Sequence, residues 1–89
     1  MVIETDPNDA HPYNNRGMCY KNIGQHDKAI SDYNKALEID PNYAKAYDNR
    51  GTLYREIGQI EKACADWKRA CDLGECSRYN GAKSDGDCE

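Results

Sequence analysis

The chain has 89 residues, enough for one small domain, with 12 Lys and Arg against 16 Asp and Glu and a net charge of −4 at pH 7. An acidic balance of this kind argues against general nucleic-acid binding, which needs clustered positive charge. No apolar run approaches the roughly 20 residues that a transmembrane helix needs, so we expect no membrane insertion.

The amino-terminal residues share a pattern with a later part of the chain. Residues 4–8 have the form Glu-x-Asp-Pro-Asn, and residues 38–42 repeat that form 34 positions later. We therefore predict that residues 1–9 are the tail of a preceding repeat or an extended amino-terminal arm. The first four residues include no basic or apolar signal region, which favours a cytoplasmic location. Paired cysteines would instead indicate a periplasmic or secreted protein.

The first predicted helix follows Asp9, a candidate cap, and has Pro12 in its first turn, where the missing N–H costs nothing. Small and aromatic residues then recur with the spacing of one helix face, at Tyr13, Gly17, Tyr20 and Gly24. Gly24 is expected to end this helix in the left-handed conformation that glycine permits. A second helix is predicted from an apolar stripe of Ala29, Ile30, Tyr33, Ala36 and Leu37. It ends at residues 40–42, because proline cannot extend a helix.

The same two helices recur 34 residues later. The third helix has the face Tyr47, Gly51, Tyr54 and Gly58, and the fourth has the stripe Ala63, Cys64, Trp67, Ala70 and Cys71. A fixed period of this length indicates a helical repeat array. Gly17 with Ala29, and Gly51 with Ala63, are small residues that we expect to let the two helices of each hairpin approach closely.

The spacing of these small, aromatic and turn residues resembles the tetratricopeptide repeat (TPR) family, from Ala10 to about Leu73. The resemblance implies an all-α fold of tandem antiparallel helical hairpins in a right-handed superhelical array. It also implies a scaffold for peptide binding and assembly. The two repeats are predicted at residues 10–43 and 44–75.

The residues after the second repeat break the pattern. Residues 76–89 are predicted to be a short capping helix and a flexible tail, with the helix at residues 76–83 and with Tyr79 and Ala82 facing inward, although Gly81 weakens it. Residues 84–89 are rich in Gly, Ser and Asp and are predicted to be a flexible tail.

The TPR resemblance implies that a partner peptide lies in a concave groove lined by the first helix of each hairpin. Asn15 and Asn49 occupy equivalent positions and are the leading candidates, because an amide both donates and accepts hydrogen bonds and so can bind any peptide backbone. The other candidates on this face are Asn14, Met18, Lys21, Asn22, Lys45, Asp48, Thr52 and Arg55, with His11 and Glu56 beside them. The alternative interpretation is a soluble helix surface that was duplicated with its repeat.

Some TPR domains clamp the carboxyl terminus of a partner with two asparagines and several basic residues over three hairpins. Asn49 fits the middle hairpin of that pattern. Asn14 and Met18 stand where the first hairpin would offer lysine and asparagine, and the chain has no third hairpin. We therefore do not expect a carboxylate clamp.

Five cysteines are many for so short a chain. Cys19, Cys64 and Cys71 fall on helix stripes that should face the interior, where cysteine packs as a small hydrophobe. A disulfide between Cys76 and Cys88, or between Cys71 and Cys76, would hold the cap and indicate an oxidising compartment. Zinc usually needs two close Cys pairs, and only one pair of suitable spacing is present. Free thiols are the interpretation that the sequence favours.

The function that we expect is a protein–protein interaction scaffold without a cofactor or a bound metal. The sequence has no phosphate-binding loop, nucleophile elbow or paired-carboxylate motif, so we do not expect an enzyme. One alternative is a structural element that self-associates or caps a longer array, because Val2, Ile3 and the first hairpin would be exposed at an open amino-terminal edge. Another is a scaffold that responds to redox conditions or to a metal through its cysteines.

Overall fold

Residues 8–88 are described by the computed structural model, and this part of the chain folds into five α-helices. They are α1 (Ala10–Asn22), α2 (His26–Ile39), α3 (Ala44–Glu56), α4 (Ile60–Asp72) and α5 (Ser77–Asp85). Helices α1 and α2 form one hairpin and α3 and α4 a second, α3 also packs against α2, and α5 packs against α4. The prediction of an all-α tandem helical repeat is confirmed.

Residues 1–7, with Val2 and Ile3 and most of the predicted amino-terminal arm, lie outside the described residues. Within residues 8–88, none of the helices combines the length and the apolar character needed to cross a membrane.

The helix ends follow from local sequence. The Asp9 carboxylate accepts a hydrogen bond from the backbone N–H of His11 at 3.1 Å, which satisfies one of the free donors at the start of α1. The same bond lowers the pKa of Asp9, because it favours the ionised carboxylate. Gly24 and Gly58 follow the first helix of each hairpin at φ of +79° and +84°, as predicted for Gly24.

Glycine allows each hairpin to pack tightly, and in both hairpins it lies beside an aromatic ring that our sequence interpretation did not name. A Cβ atom on Gly17 would lie 2.7 Å from Cε1 of Tyr33, and one on Gly51 would lie 2.7 Å from Cδ1 of Trp67. A Cβ atom on Gly51 would also lie 3.2 Å from the backbone oxygen of Ala63, the small residue that we paired with this glycine. Both rings are almost fully buried, at 0% exposure for Tyr33 and 1% for Trp67.

Each hairpin is also held by a buried ion pair that our sequence interpretation missed. Arg16 donates to both carboxylate oxygens of Asp32 at 2.8 and 2.7 Å, and Arg50 binds Asp66 in the same way at 2.8 and 2.7 Å. Both carboxylates are only 5% exposed. An Arg–carboxylate pair joined by two hydrogen bonds is geometrically specific as well as strong. These pairs therefore help to determine how the two helices of each hairpin are oriented relative to each other.

The carboxyl-terminal segment is fastened to α4 at two points. Cys64 on α4 forms a disulfide with Cys88, which follows α5, and Cys71 near the end of α4 forms one with Cys76, just before α5. Ala82 of α5 is buried and belongs to the same apolar cluster as Trp67. Helix α5 therefore covers the face of α4 that would otherwise be exposed at this end of the array.

The expectation of free, buried thiols at Cys19, Cys64 and Cys71 is wrong. Cys64 and Cys71 are in disulfides, and Cys19 is a free and exposed thiol. The Cys71–Cys76 pair is one of the two that we considered, whereas Cys88 bonds to Cys64 and not to Cys76. The reason is distance: Cys76 and Cys88 flank the nine residues of α5, which span about 13 Å, whereas a disulfide needs Cα atoms within about 7 Å.

The last residues also differ from the predicted flexible tail. Ser84 and Asp85 complete α5, and Cys88 is only 4% exposed. The disulfide to Cys64 explains the difference, because it ties Cys88 to the buried cluster around Trp67.

Candidate functional site

The first helices of the two hairpins enclose a cavity of about 450 Å³. It is lined by His11, Asn14, Asn15, Met18, Tyr43, Lys45, Asp48, Asn49 and Glu75. Six of the predicted site residues are in this set, namely Asn14, Asn15, Met18, Lys45, Asp48 and Asn49. We refer to this space below as the α1–α3 cavity.

An amide pair connects the two helices across the α1–α3 cavity. Asn49 Nδ2 donates to Asn14 Oδ1 at 3.0 Å, and Asn14 Nδ2 lies 3.4 Å from the Tyr43 hydroxyl, to which it donates. Asn14 is only 3% exposed, and its amide makes one hydrogen bond as donor and one as acceptor within the protein. Asn49 is half-buried and keeps a second N–H and a carbonyl oxygen, whereas Asn15 is exposed. The two equivalent asparagines, Asn15 and Asn49, therefore have different surroundings.

The walls of the cavity combine aromatic, apolar and charged groups. The His11 and Tyr43 rings lie 5.0 Å apart between centroids, and burial raises the pKa of the Tyr43 hydroxyl. Met18 is 42% exposed, an unusual exposure for a large apolar side chain in this protein. Lys45 supplies positive charge, while Asp48 and Glu75 supply negative charge.

Asp48 is an acid of the cavity wall whose pKa is shifted by its surroundings. Its Oδ1 atom is buried and has no hydrogen-bond partner within the described residues, and Arg78 Nε of α5 lies 3.6 Å from it. Burial raises the pKa of Asp48, the positive charge of Arg78 opposes this rise, and the negative charge of Glu75 adds to it. Helix α5 thus contributes a side chain next to the cavity, although the sequence suggested only a capping role.

Four predicted site residues do not line the cavity, and two of them are in ion pairs. Lys21 Nζ lies 3.4 Å from Glu56 Oε1, and this pair joins α1 to α3. Arg55 Nη2 lies 3.9 Å from Asp87 Oδ2 and so connects α3 to the residues after α5.

The other two are Thr52 and Asn22. The Thr52 hydroxyl donates to the backbone carbonyl of Asp48 at 3.0 Å, within its own helix. Asn22 is exposed at the end of α1. Helical spacing places all four on the right helices but does not determine which end of the helix the cavity occupies.

Tyr43 and Glu75 were not predicted as cavity residues. Both lie outside the helices, Tyr43 directly before α3 and Glu75 between α4 and α5. The sequence feature that could have identified them is their position beside the ends of the helices around the cavity. Helical periodicity gives no information about residues outside the helices. Within residues 8–88, no three His, Cys, Asp or Glu side chains converge in a way that could hold a metal ion.

Comparison with known proteins places the fold in a family. Residues 10–43 and residues 32–65 each match a family model described as tetratricopeptide repeat, so the two matches together span more than half of the chain. No curated protein matches the chain significantly.

Several solved structures share the fold. A crystal structure of MamA has a TM-score of 0.75 and 25% identity, and the match covers 78% of this chain and 40% of the MamA chain. A second crystal structure of the MamA protein has a TM-score of 0.74 and 25% identity over 76% of this chain and 37% of that one. The chain thus spans less than half the length of MamA.

The first TPR of Spaghetti (RPAP3), bound to the HSP90 peptide SRMEEVD, has a TM-score of 0.75 and 26% identity. The match covers 89% of this chain and 69% of that one. The chain therefore belongs to the tetratricopeptide repeat family.

Proposed function

We propose that the chain binds an extended peptide segment of a partner protein in the α1–α3 cavity. The observation that carries the proposal is the Asn14–Asn49 hydrogen bond of 3.0 Å, which holds the Asn49 amide in place beside the cavity. An amide that is already oriented loses little entropy when it binds a peptide backbone. The volume of about 450 Å³ lies within the roughly 300–1,000 Å³ that is usual for ligand sites.

The groups around the cavity favour recognition of backbone and apolar side chains over a carboxylate clamp. Its one lysine, Lys45, is accompanied by the acids Asp48 and Glu75. Arg78 of α5 lies beside Asp48, so its positive charge is balanced by a carboxylate of the protein itself. The exposed Met18 offers an apolar contact for a peptide side chain. The first TPR of Spaghetti (RPAP3) is bound to a peptide, and the likeness of this chain to 69% of that structure supports peptide binding as the mode of action.

Selection from a displayed peptide library, followed by affinity measurements with the enriched peptides, tests this proposal. Met18→Glu and Asn15→Ala should each weaken binding about tenfold, the loss of one good contact. Asn22→Ala is the matched control for Asn15→Ala, because it removes an exposed amide from the same helix outside the cavity. Equal binding by Asn15→Ala, Met18→Glu and the control would refute the proposal.

Asn49→Ala needs a separate measurement of stability. Removing this side chain leaves the buried Asn14 oxygen without its donor, at a cost of about 1–3 kcal/mol. A loss of peptide binding by this variant counts as support only at a temperature where circular dichroism shows it fully folded.

We also infer that the chain works in an oxidising compartment, such as the periplasm or the exterior of the cell. The support is that four of the five cysteines are paired in disulfides, which are rare in reducing compartments. Alkylation of the unreduced chain, followed by intact-mass analysis, should label one thiol, that of Cys19. Labelling of all five cysteines in the chain purified from its native source would refute the inference.

A further inference from the structure

Helix α5 is too short to hold its place by helix formation alone. It has nine residues, its N-cap residue Cys76 makes no side-chain capping hydrogen bond, and it contains Gly81. Isolated helices shorter than about 12–15 residues are marginal in water, and a glycine inside a helix costs about as much as one weak hydrogen bond. The position of α5 therefore depends on its packing against α4 and on the two disulfides that tie it there.

Two ion pairs join the α5 segment to α3. At the start of α5, Arg78 Nε lies 3.6 Å from Asp48 Oδ1, and just after its end Asp87 Oδ2 lies 3.9 Å from Arg55 Nη2. The two arginine side chains are similarly exposed, at 54% for Arg78 and 51% for Arg55. Only the first pair adjoins the α1–α3 cavity, because Asp48 lines the cavity and the residues of the second pair do not.

Each ion pair lies next to one of the disulfides. The Cys71–Cys76 disulfide encloses Glu75, which lines the cavity, and it ends two residues before Arg78. The other disulfide fixes the chain directly after Asp87. The first disulfide therefore holds the end of α5 that adjoins the cavity, and the second holds the opposite end.

The Asp48 carboxylate depends on the first of these ion pairs. Its Oδ1 atom is buried without a hydrogen-bond partner among residues 8–88, and 3.6 Å is an ion-pair distance that exceeds a usual hydrogen bond. The other titratable or charged side chains of the cavity wall are His11 of α1, Tyr43, Lys45 of α3 and Glu75. The charge of Arg78 opposes the cost of burying the carboxylate, while the charge of Glu75 adds to that cost. Arg78 is therefore the group of α5 that favours the ionised form of Asp48.

We propose that Arg78 is a positioning residue of the peptide site, that it holds the Asp48 carboxylate in the wall of the α1–α3 cavity, and that the Cys71–Cys76 disulfide holds Arg78 there. The Cys64–Cys88 disulfide stabilises the fold without acting on the site. This inference rests on the proposed function, since the positioned carboxylate acts as an acceptor for an N–H group of the bound peptide. The two disulfides thus have separable roles.

Affinity measurements with peptides enriched from a displayed library compare Arg78→Gln with Arg55→Gln in the unreduced chain. Each variant removes one positive charge from a partly exposed ion pair of the α5 segment with α3. Arg78→Gln should weaken binding about two- to fivefold, as expected for such a pair, whereas Arg55→Gln should leave binding unchanged. Arg78→Lys should restore most of the affinity, because the 3.6 Å contact depends on charge and not on two parallel hydrogen bonds. Equal affinities of Arg78→Gln and Arg55→Gln would overturn the proposal.

Titration of the Asp48 carboxyl, followed by NMR, is a measurement that needs no peptide. Arg78 lowers the pKa of Asp48 by its positive charge, so the titration midpoint should be higher in Arg78→Gln than in the original chain or in Arg55→Gln. The weakening of peptide binding by Arg78→Gln should grow as the pH is lowered toward that midpoint. An unchanged midpoint would overturn the proposal. A shifted midpoint in a chain that binds no library peptide would support the positioning of Asp48 by Arg78 and refute the proposed function.

Serine substitutions of each cysteine pair test the disulfides with the same two readouts, the midpoint and the affinity. In Cys71→Ser/Cys76→Ser, adding Arg78→Gln should change neither readout, because Arg78 is no longer held beside the carboxylate. In Cys64→Ser/Cys88→Ser, the matched control, Arg78→Gln should act as it does in the original chain. Circular dichroism identifies a temperature at which both serine pairs are folded. An equal effect of Arg78→Gln in the two backgrounds would overturn the role assigned to the first disulfide.

Discussion

Adding one methyl group at Gly51 tests the packing of the second hairpin directly. A Cβ atom there would lie 2.7 Å from Cδ1 and from Nε1 of Trp67 and 3.2 Å from the backbone oxygen of Ala63. Carbon atoms in contact prefer a separation of about 3.5–4.0 Å, so the indole ring has to move by about 1 Å. The ring is only 1% exposed and packs against the disulfide-bonded cap, which leaves it little room to move.

The expected change combines two opposing effects. Overpacking in a well-packed core costs about 1–3 kcal/mol, whereas replacing a helical glycine by alanine stabilises by about 1 kcal/mol. Gly51→Ala should therefore lower the free energy of unfolding by about 0–2 kcal/mol. Gly81→Ala on α5 is the matched control, because a Cβ atom at Gly81 has no neighbour within 4 Å. It should raise the free energy of unfolding by about 1 kcal/mol.

Thermal unfolding of the two variants, followed by circular dichroism without reductant, measures the difference. The free energies should differ by about 1–3 kcal/mol, with Gly51→Ala the less stable variant. Each kcal/mol corresponds to about 4–8 °C in Tm for a domain of this size. If Gly51→Ala raises Tm as much as Gly81→Ala does, the tight contact between this glycine and Trp67 is refuted.

Three further predictions concern the cap, the core and pH. Replacing Cys64 and Cys88 by serine should lower the free energy of unfolding by about 3 kcal/mol, because that disulfide closes a loop with a sequence separation of 24; an unchanged urea midpoint would contradict this. Tyr33→Phe should leave stability unchanged or raise it by about 1 kcal/mol, because the buried Tyr33 hydroxyl has no hydrogen-bond partner among residues 8–88, and a clear fall in Tm would contradict this. Burial raises the pKa of Asp48 in the folded state above its ordinary value, so the folded state binds this proton more tightly and stability falls as pH rises from the unfolded toward the folded pKa. Asp48→Asn should therefore raise Tm at pH 7 and gain less in acid, and an equal gain at both pH values would exclude titration of this carboxyl as the cause.

The candidate site could be predicted from sequence only in part. Periodicity placed Asn14, Met18 and Asn49 on the inner face of the first helices, and these residues do line the α1–α3 cavity. It could not show that Asn14 and Asn49 bond to each other, because that contact depends on how α1 and α3 lie side by side. The equivalent positions of Asn15 and Asn49 suggested equal surroundings, but within residues 8–88 only the second hairpin has another hairpin packed before it.

Local sequence signals were enough to predict the repeating unit. The period of 34 residues, the Asp9 cap, the left-handed Gly24 and the Asp-Pro-Asn stop at residues 40–42 are local signals, and each acts through backbone geometry or short-range hydrogen bonds. For this reason the number of hairpins and the all-α fold followed without any knowledge of tertiary contacts.

The contacts of each helix face, in contrast, depend on tertiary packing. Cys19 of α1 is at the position equivalent to Leu53 of α3, but Leu53 is buried against α2, whereas Cys19 is exposed within residues 8–88. Cys64 and Cys88 are far apart in the sequence and become partners because α5 folds back along α4. Helical periodicity predicts which side chains share a face of a helix. Whether those side chains are buried, exposed or joined in a disulfide depends on whether another element packs on that face.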